Sequence, residues 1–182
     1  DVLSDLGVIW GYEDGTFGPD NTVERWHMSL WIAKMETGRT STDDYLTVWR
    51  AEENYTDFTD VAVDQAIGAI NYAADEDIII GTTPTTFAPT AGITYQDALT
   101  MVVRALGFGG KAMDAGYPWK YINKAAELGL EDGLSGIAYK DVLTRAQTAQ
   151  ILYNALYTID ADGKSYISDV FGLTTVVITG TP

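Results

Sequence analysis

Apolar residues recur at helical spacing in several stretches of this chain, each bounded by glycine, proline or small polar residues. In Glu24–Glu36, the residues Met28, Trp31, Ile32 and Met35 fall at i, i+3, i+4 and i+7, which is one face of a helix. Thr22 is placed to cap that helix and Thr37-Gly38 to stop it. A second helix is expected over Val63–Ala74, with Val63, Ala66, Ile67, Ile70 and Ala74 on one stripe. A third runs over Thr94–Leu106 and is closed by Gly107. A fourth starts at Tyr117-Pro118-Trp119 and ends near Leu128, before Gly129. Thr144 caps a fifth that reaches about Tyr157. Asp1–Leu6 reads as the end of a further helix closed by Gly7, so the chain is expected to be a piece of something longer. Thr37–Thr56 is a polar linker in which Tyr45, Leu46, Val48 and Trp49 are spaced for a short helix folded back on the body. Asp160–Asp169 is a polar, turn-rich link, and the β-branched run Leu173–Thr179 suits a strand opening a further domain.

The loops ahead of the long helices are copies of one another. Gly11, Phe17, Pro19 and Val23 recur 70 residues later as Gly81, Phe87, Pro89 and Ile93. Thr94, Met101, Val102 and Ala105 recur 50 residues later as Thr144, Ile151, Leu152 and Ala155. The unit is a helix, a glycine-rich loop and a longer helix. Units of this kind cannot bury their apolar faces alone and must pack together. The expected division is 1–38, a linker 39–57, 58–110, 111–158 and a tail 159–182, with the first unit lacking most of its leading helix.

On these residues the chain resembles three degenerate S-layer homology (SLH) repeats of Gram-positive surface proteins. Phe58–Val61 matches the family's opening Phe-x-Asp-Val, Gly11–Pro19 matches its loop, and Thr144-Arg145-Ala146-Gln147 matches its Thr-Arg-Ala-Glu signature. The resemblance covers roughly Asp1–Tyr157. It implies a mainly α fold with the repeats in a pseudo-threefold array around a central three-helix bundle. It also implies a cell-wall location and non-catalytic binding of secondary cell-wall polysaccharide, often pyruvylated, in grooves between repeats. The signature reads Glu24-Arg25-Trp26-His27 in the first unit and Thr94-Tyr95-Gln96-Asp97 in the second, so the arginine survives only in the first and third.

Chemistry follows from these positions. A guanidinium can grip a carboxylate with two parallel hydrogen bonds, and a pyruvyl ketal supplies one. Arg25 and Arg145 start their helices, whose first-turn N–H groups would add to an anion site. The other reading is that each arginine pins one repeat to the next. Asp14-Gly15 is a tight-turn signal, and Gly15 would also let a glycan approach the backbone. Asp60 is placed to cap the helix that starts near Val63, or to contact sugar. Trp31 and Trp119 suit the core, whereas Trp10 and Trp26 flank the first loop and suit sugar platforms. The expected carbohydrate-binding set is Arg25, Arg145, Asp14, Gly15, Trp10, Trp26, Asp60 and Thr144. His27, in the family's acidic position, reads as a packing or surface residue, and Asp160-Ala161-Asp162-Gly163 as a turn rather than a calcium loop.

Composition narrows the function class. Hydrophobic residues make up 46%, enough for a core. Twenty-six acidic against 11 basic side chains give a net charge of −15, which disfavours nucleic acid and anionic membrane as partners. The lack of cysteine leaves no thiolate site, and a single histidine disfavours a histidine-based metal site or a Ser–His triad. No apolar run is long enough to span a membrane. No motif singles out a catalytic pair or a cofactor. The expected partner is cell-wall polysaccharide, with contacts to other copies or surface-layer subunits as the alternative, in which degenerate repeats serve as an assembly module.

Overall fold

The computed structural model describes residues 2–41, 54–61, 64–110 and 114–174, and is mainly helical there. The helices are α1 (Val2–Asp5), α2 (Arg25–Thr37), α3 (Asp64–Asp75), α4 (Tyr95–Ala105), α5 (Trp119–Glu127) and α6 (Arg145–Tyr157), followed by a π-helical turn, Tyr166–Val170. The short helix expected around Tyr45–Trp49 lies outside the described residues.

Helix ends follow local chemistry at most positions. Thr144 closes a capping box: its hydroxyl accepts from the Gln147 N–H, while the Gln147 side chain accepts from the Thr144 N–H. Thr94 caps α4 through Asp97 N–H. Gly38 ends α2 in the left-handed conformation at φ 66°. Thr22 does not cap α2. The cap position is Glu24, which makes no side-chain cap, because it stands where the other units carry threonine.

Three backbone hydrogen bonds join the units in a closed ring. Val23 N–H donates to Leu143 C=O (3.1 Å), Leu143 N–H to Ile93 C=O (3.0 Å) and Ile93 N–H to Val23 C=O (2.7 Å). All three side chains are buried. Isolated antiparallel bridges repeat the same cycle one step outward: Thr22 with Thr144, Glu24 with Gly92, and Thr94 with Val142. The approach is close enough that a Cβ on Gly92 would lie 2.6 Å from Val142 Cγ1.

Helix packing runs in the same order. Each leading helix packs on the long helix of the preceding unit: α3 on α2, α5 on α4 and α1 on α6. Helix α4 also packs against both α2 and α6. Met28, Trp31, Ile32 and Met35 are buried as expected, but so are Ser29, Leu30, Ala33 and Lys34, because α2 is surrounded on most sides. On α3 the buried stripe runs through Ala69, Ile70 and Ala73, and Ala74 is only half-buried.

The link expected over Asp160–Asp169 is not a free connector. Asp160 Oδ1 accepts from Asp162 and Lys164 N–H in a tight turn, as the turn reading expects. The chain then folds back, and Tyr166 and Ile167 are buried against α2 and α6. Leu173 and Thr174 are not in a strand, and the rest of the expected strand lies outside the described residues.

This return creates a buried carboxyl. Glu36 on α2 accepts from Tyr72 of α3 at 2.9 Å and lies 3.1 Å from the Tyr166 hydroxyl, which is also 2.9 Å from Ala105 C=O. One hydroxyl proton cannot serve both acceptors. A protonated Glu36 resolves this by donating to Tyr166, which then donates to Ala105. Burial pushes the Glu36 carboxyl up to about 7; the hydrogen bonds from Tyr72 and Tyr166 pull it down, and the nearby Glu76 charge adds to the rise. A carboxyl with a raised folded pKa holds its proton in the folded state after the unfolded chain has lost it. Its contribution is therefore full below about pH 4.5 and is lost as pH rises to about 7, a change on the order of 1–3 kcal/mol. Glu36→Gln keeps the neutral pattern. Chemical denaturation across this window should show the variant gaining stability relative to the native chain as pH rises; parallel curves would remove Glu36 as the titrating group.

Candidate functional site

The cyclic order that joins the units also disposes of the helix N-termini. In α2, Arg25 N–H donates to Ala91 C=O and Trp26 N–H to Pro89 C=O. In α4, Tyr95 N–H donates to Asp141 C=O and Gln96 N–H to Tyr139 C=O. In α6, Arg145 N–H donates to Asn21 C=O and Ala146 N–H to Pro19 C=O. Each long helix is thus capped by the loop of another unit. First-turn amides that an anion would need are already satisfied. The expectation that they add to an anion site is not met.

The two signature arginines are buried, at 7% exposure for Arg25 and 6% for Arg145, and they do equivalent work. Arg25 Nε donates to Phe87 C=O (2.9 Å) and its guanidinium lies over the Phe87 ring. Arg145 Nε donates to Phe17 C=O (2.8 Å) and Nη2 to Trp10 C=O (2.7 Å), with Tyr12, Phe17 and Trp31 rings around it. Each arginine fastens its helix to a loop of another unit. Arg25 also pairs with Asp97 through Nη1 at 2.8 Å.

The remaining expected residues spread over several structures. Asp14 accepts from the N–H and hydroxyl of Thr16, which hold its carboxyl below the usual range. Gly15 takes φ 80°, as its turn requires, and faces open space. Trp10 is 42% exposed, but Lys34 Nζ lies 3.7 Å from the centre of its ring and covers one face. Trp26 is half-buried, stacked on His27 at 3.8 Å and donating to Glu24. Burial, helped by the Arg145 charge and opposed by Glu24, lowers the His27 pKa to about 4, so this imidazole is neutral and packed. The backbone that Asp60 would cap, residues 62 and 63 ahead of α3, lies outside the described residues. The Asp60 carboxylate accepts from Phe87 N–H (2.9 Å) and Ala88 N–H (2.7 Å) and so holds the second loop. Burial raises its pKa, but those two amides, its own N–H and the Arg25 charge together more than offset the rise. Trp119 is not in the core; it is 61% exposed.

A cavity of about 410 Å³ lies beside α4. Ile78–Thr82 line one side, Asp97, Thr100, Met101 and Arg104 another, and Arg25, Asp114 and Tyr117 complete it. Of the eight expected residues, only Arg25 lines it. Its polar groups form two linked sets. At one end, Asp97 takes hydrogen bonds from Arg25 and from the Tyr117 hydroxyl, which in turn accepts from Gln96. At the other, Asp114 pairs with Arg104 at 2.6 Å and accepts from Tyr121. Burial raises the Asp114 carboxyl, but the hydrogen bonds from Tyr121 and Arg104 and the Arg104 charge hold it below the usual range. Burial, then the bond to Asp97, pushes the Tyr117 phenol up to about 12. Each arginine is matched by a carboxylate, so the cavity presents fixed donors and acceptors with little net charge. Such a lining suits a ligand rich in hydroxyl groups.

One signal in the sequence marks part of this site. Lys34, Arg104 and Asn154 occupy the same helix position in the three units. Each donates to a backbone carbonyl just after a leading helix: Gly7, Ile78 and Leu130 respectively. Asp97, Asp114 and Tyr117 carry no such repeat. Among the described residues no cluster of acidic or histidine side chains is grouped to hold a metal.

The family model described as "S-layer homology domain" matches residues 2–26 and 54–99. The chain is 31% identical over 73% of its length to a "Surface layer protein" of Brevibacillus choshinensis, 11% of which is covered. It is 29% identical over 85% of its length to a "Middle cell wall protein" of Brevibacillus brevis, with 14% of that protein covered. It is 34% identical over 83% of its length to a "Cell surface protein" of Thermoanaerobacter kivui, with 18% covered. The chain therefore spans less than a fifth of these curated relatives. The matched stretches include Arg25, Asp97 and the second loop.

Because Arg145 fastens α6 without lining the cavity, its removal should act on stability. Arg145→Ala leaves the part-buried Phe17 and Trp10 carbonyls without their donors and removes a buried side chain, and should lower unfolding free energy by about 2–4 kcal/mol in urea titration. A variant of native stability that binds wall polysaccharide weakly would make Arg145 a ligand contact instead.

Proposed function

From a chain that carries S-layer homology sequence, we propose a non-catalytic module that holds a larger surface protein to cell-wall polysaccharide. The cell surface is its setting, and no helix among the described residues is long and apolar enough to cross a membrane. The observation that supports the reading best is the cavity framed by Arg25–Asp97 and Arg104–Asp114. Both arginines are pre-positioned by backbone carbonyls, at Phe87 and Ile78, so little side-chain order remains to be lost on binding. Carboxylates accept from sugar hydroxyls, guanidinium groups donate to them, and Ile78–Ile80 with Met101 face the C–H surface of a ring.

An acidic substituent, such as the pyruvyl group the family resemblance implies, enters this site by exchange. It replaces Asp97 as the acceptor on Arg25 Nη1, a pair with only partial burial on the aspartate side. Binding of an acidic polysaccharide then weakens with salt, whereas the hydroxyl contacts do not.

Thr82 is an exposed lining position, so a large side chain there fills the cavity without disturbing the core. Co-sedimentation with purified cell-wall polysaccharide should retain the native chain, and Thr82→Trp should reduce affinity roughly tenfold or more, about 1.4 kcal/mol. Undiminished retention of a folded Thr82→Trp variant would move the site elsewhere. No retention of the folded native chain would sink the anchoring reading.

A further inference from the structure

The hydrogen-bond ring precedes the three long helices, and the segment Asp160–Phe171 crosses the opposite end of two of them. Ala161 N–H donates to Leu106 C=O at 3.0 Å, just past α4. A Cβ on Gly107 would lie 3.0 Å from Ala161 Cβ, and one on Gly38 3.0 Å from Val170 Cγ1, so the segment rests on the glycines that follow α4 and α2. Between these contacts Tyr166 and Ile167 are buried. Glu36 is the junction. The last turns of three helices meet around it: Tyr72 of α3 bonds Glu36 of α2, and Tyr166 bridges Glu36 to Ala105 of α4. Helix C-termini disfavour an anion. The charged groups around it are acidic as well: Glu76 beyond α3, and Asp160 facing Tyr166. Lys34 is held at Trp10 and Gly7, and Arg104 at Asp114, so neither neutralises it.

We propose that Asp160–Phe171 is a strap that stays docked while Glu36 is protonated and lifts off, with the three units still packed, when Glu36 ionises. Protonated Glu36 donates to Tyr166, which donates to Ala105 C=O. Ionised Glu36 accepts from both phenols, and Ala105 C=O then loses the only donor it has among the described residues. Lifting the strap lets water reach the carboxylate and that carbonyl at once. The docked carboxyl is raised to about 7 and a hydrated one is ordinary, so docking is favoured in acid and weakens as pH rises through this window. A protein at the cell surface meets the ambient pH directly. The joint between the helical body and the residues beyond Gly172 is therefore tight in acid and slack above neutrality. Neither Glu36 nor Tyr166 lines the cavity beside α4, and the proposal stands or falls without the polysaccharide reading.

The test is amide hydrogen exchange of the whole chain, followed by NMR at about pH 5.5 and about pH 8, with each rate corrected for intrinsic exchange at that pH. Ala161 reports the contact with α4 and Phe171 the turn that carries Tyr166, while Val23, Ile93 and Leu143 report opening of the whole fold. Protection at Ala161 and Phe171 should fall roughly tenfold or more between the two conditions, and at the higher pH should lie below that of the ring amides. Glu36→Gln, which stays neutral, should hold protection at these two amides level. Equal protection of strap and ring at both pH values would overturn the proposal, because the segment would then open only with the whole fold. Protection in the native chain that does not change with pH would overturn it too, as would the same fall in Glu36→Gln.

Discussion

The ring of hydrogen bonds among Val23, Leu143 and Ile93 is the constraint on which the other contacts depend. It is buried, so opening it would leave backbone groups unsatisfied out of reach of water. Once it closes, each loop is carried over the N-terminus of another unit's long helix, and its carbonyls take the first-turn amides. The same placement brings Phe87 and Phe17 carbonyls to Arg25 and Arg145. Loop capping and leading-helix packing are therefore one arrangement expressed three times in cyclic order, and arginine pinning accompanies it twice.

That arrangement redistributes the chemistry suggested by residue type. Arginine at a helix N-terminus combines two features of an anion site. Here the first-turn amides and the Arg145 guanidinium are consumed in joining units, and only Arg25 also lines a cavity. What remains for a ligand is the space left beside α4, where Arg25 and Arg104 are charge-matched by Asp97 and Asp114. In a chain with a net charge of −15, this cavity thus has a nearly neutral, hydrogen-bonding lining rather than a strongly charged one.

Much of the fold was legible because it is local. The helix over Arg25–Thr37, the Thr144 cap and the stop at Gly38 follow from periodicity, side-chain capping and backbone freedom. The loop copies exposed the repeat. Contacts across units were not legible, since a periodicity shows which face a helix buries and not which loop covers its end. Asp60 had the spacing of a cap, but its contact with the second loop, 27 residues on, had no local signal, because that loop's position is set by the ring. Trp119 had the look of a core residue at a helix start, yet it is exposed and only meets the Tyr139 ring edge to face. The cavity draws on Asp114 and Tyr117, where the units differ, so comparison of the copies passed them over.

The most direct measurement is NMR mapping of the chain with a fragment of purified cell-wall polysaccharide. The account predicts perturbed amides at Thr82, Thr100 and Tyr117, which line the cavity, with the first turn of α6 unmoved. Perturbation centred on Asp14, Gly15 and Arg145, with the cavity silent, would contradict it and return the site to the first loop.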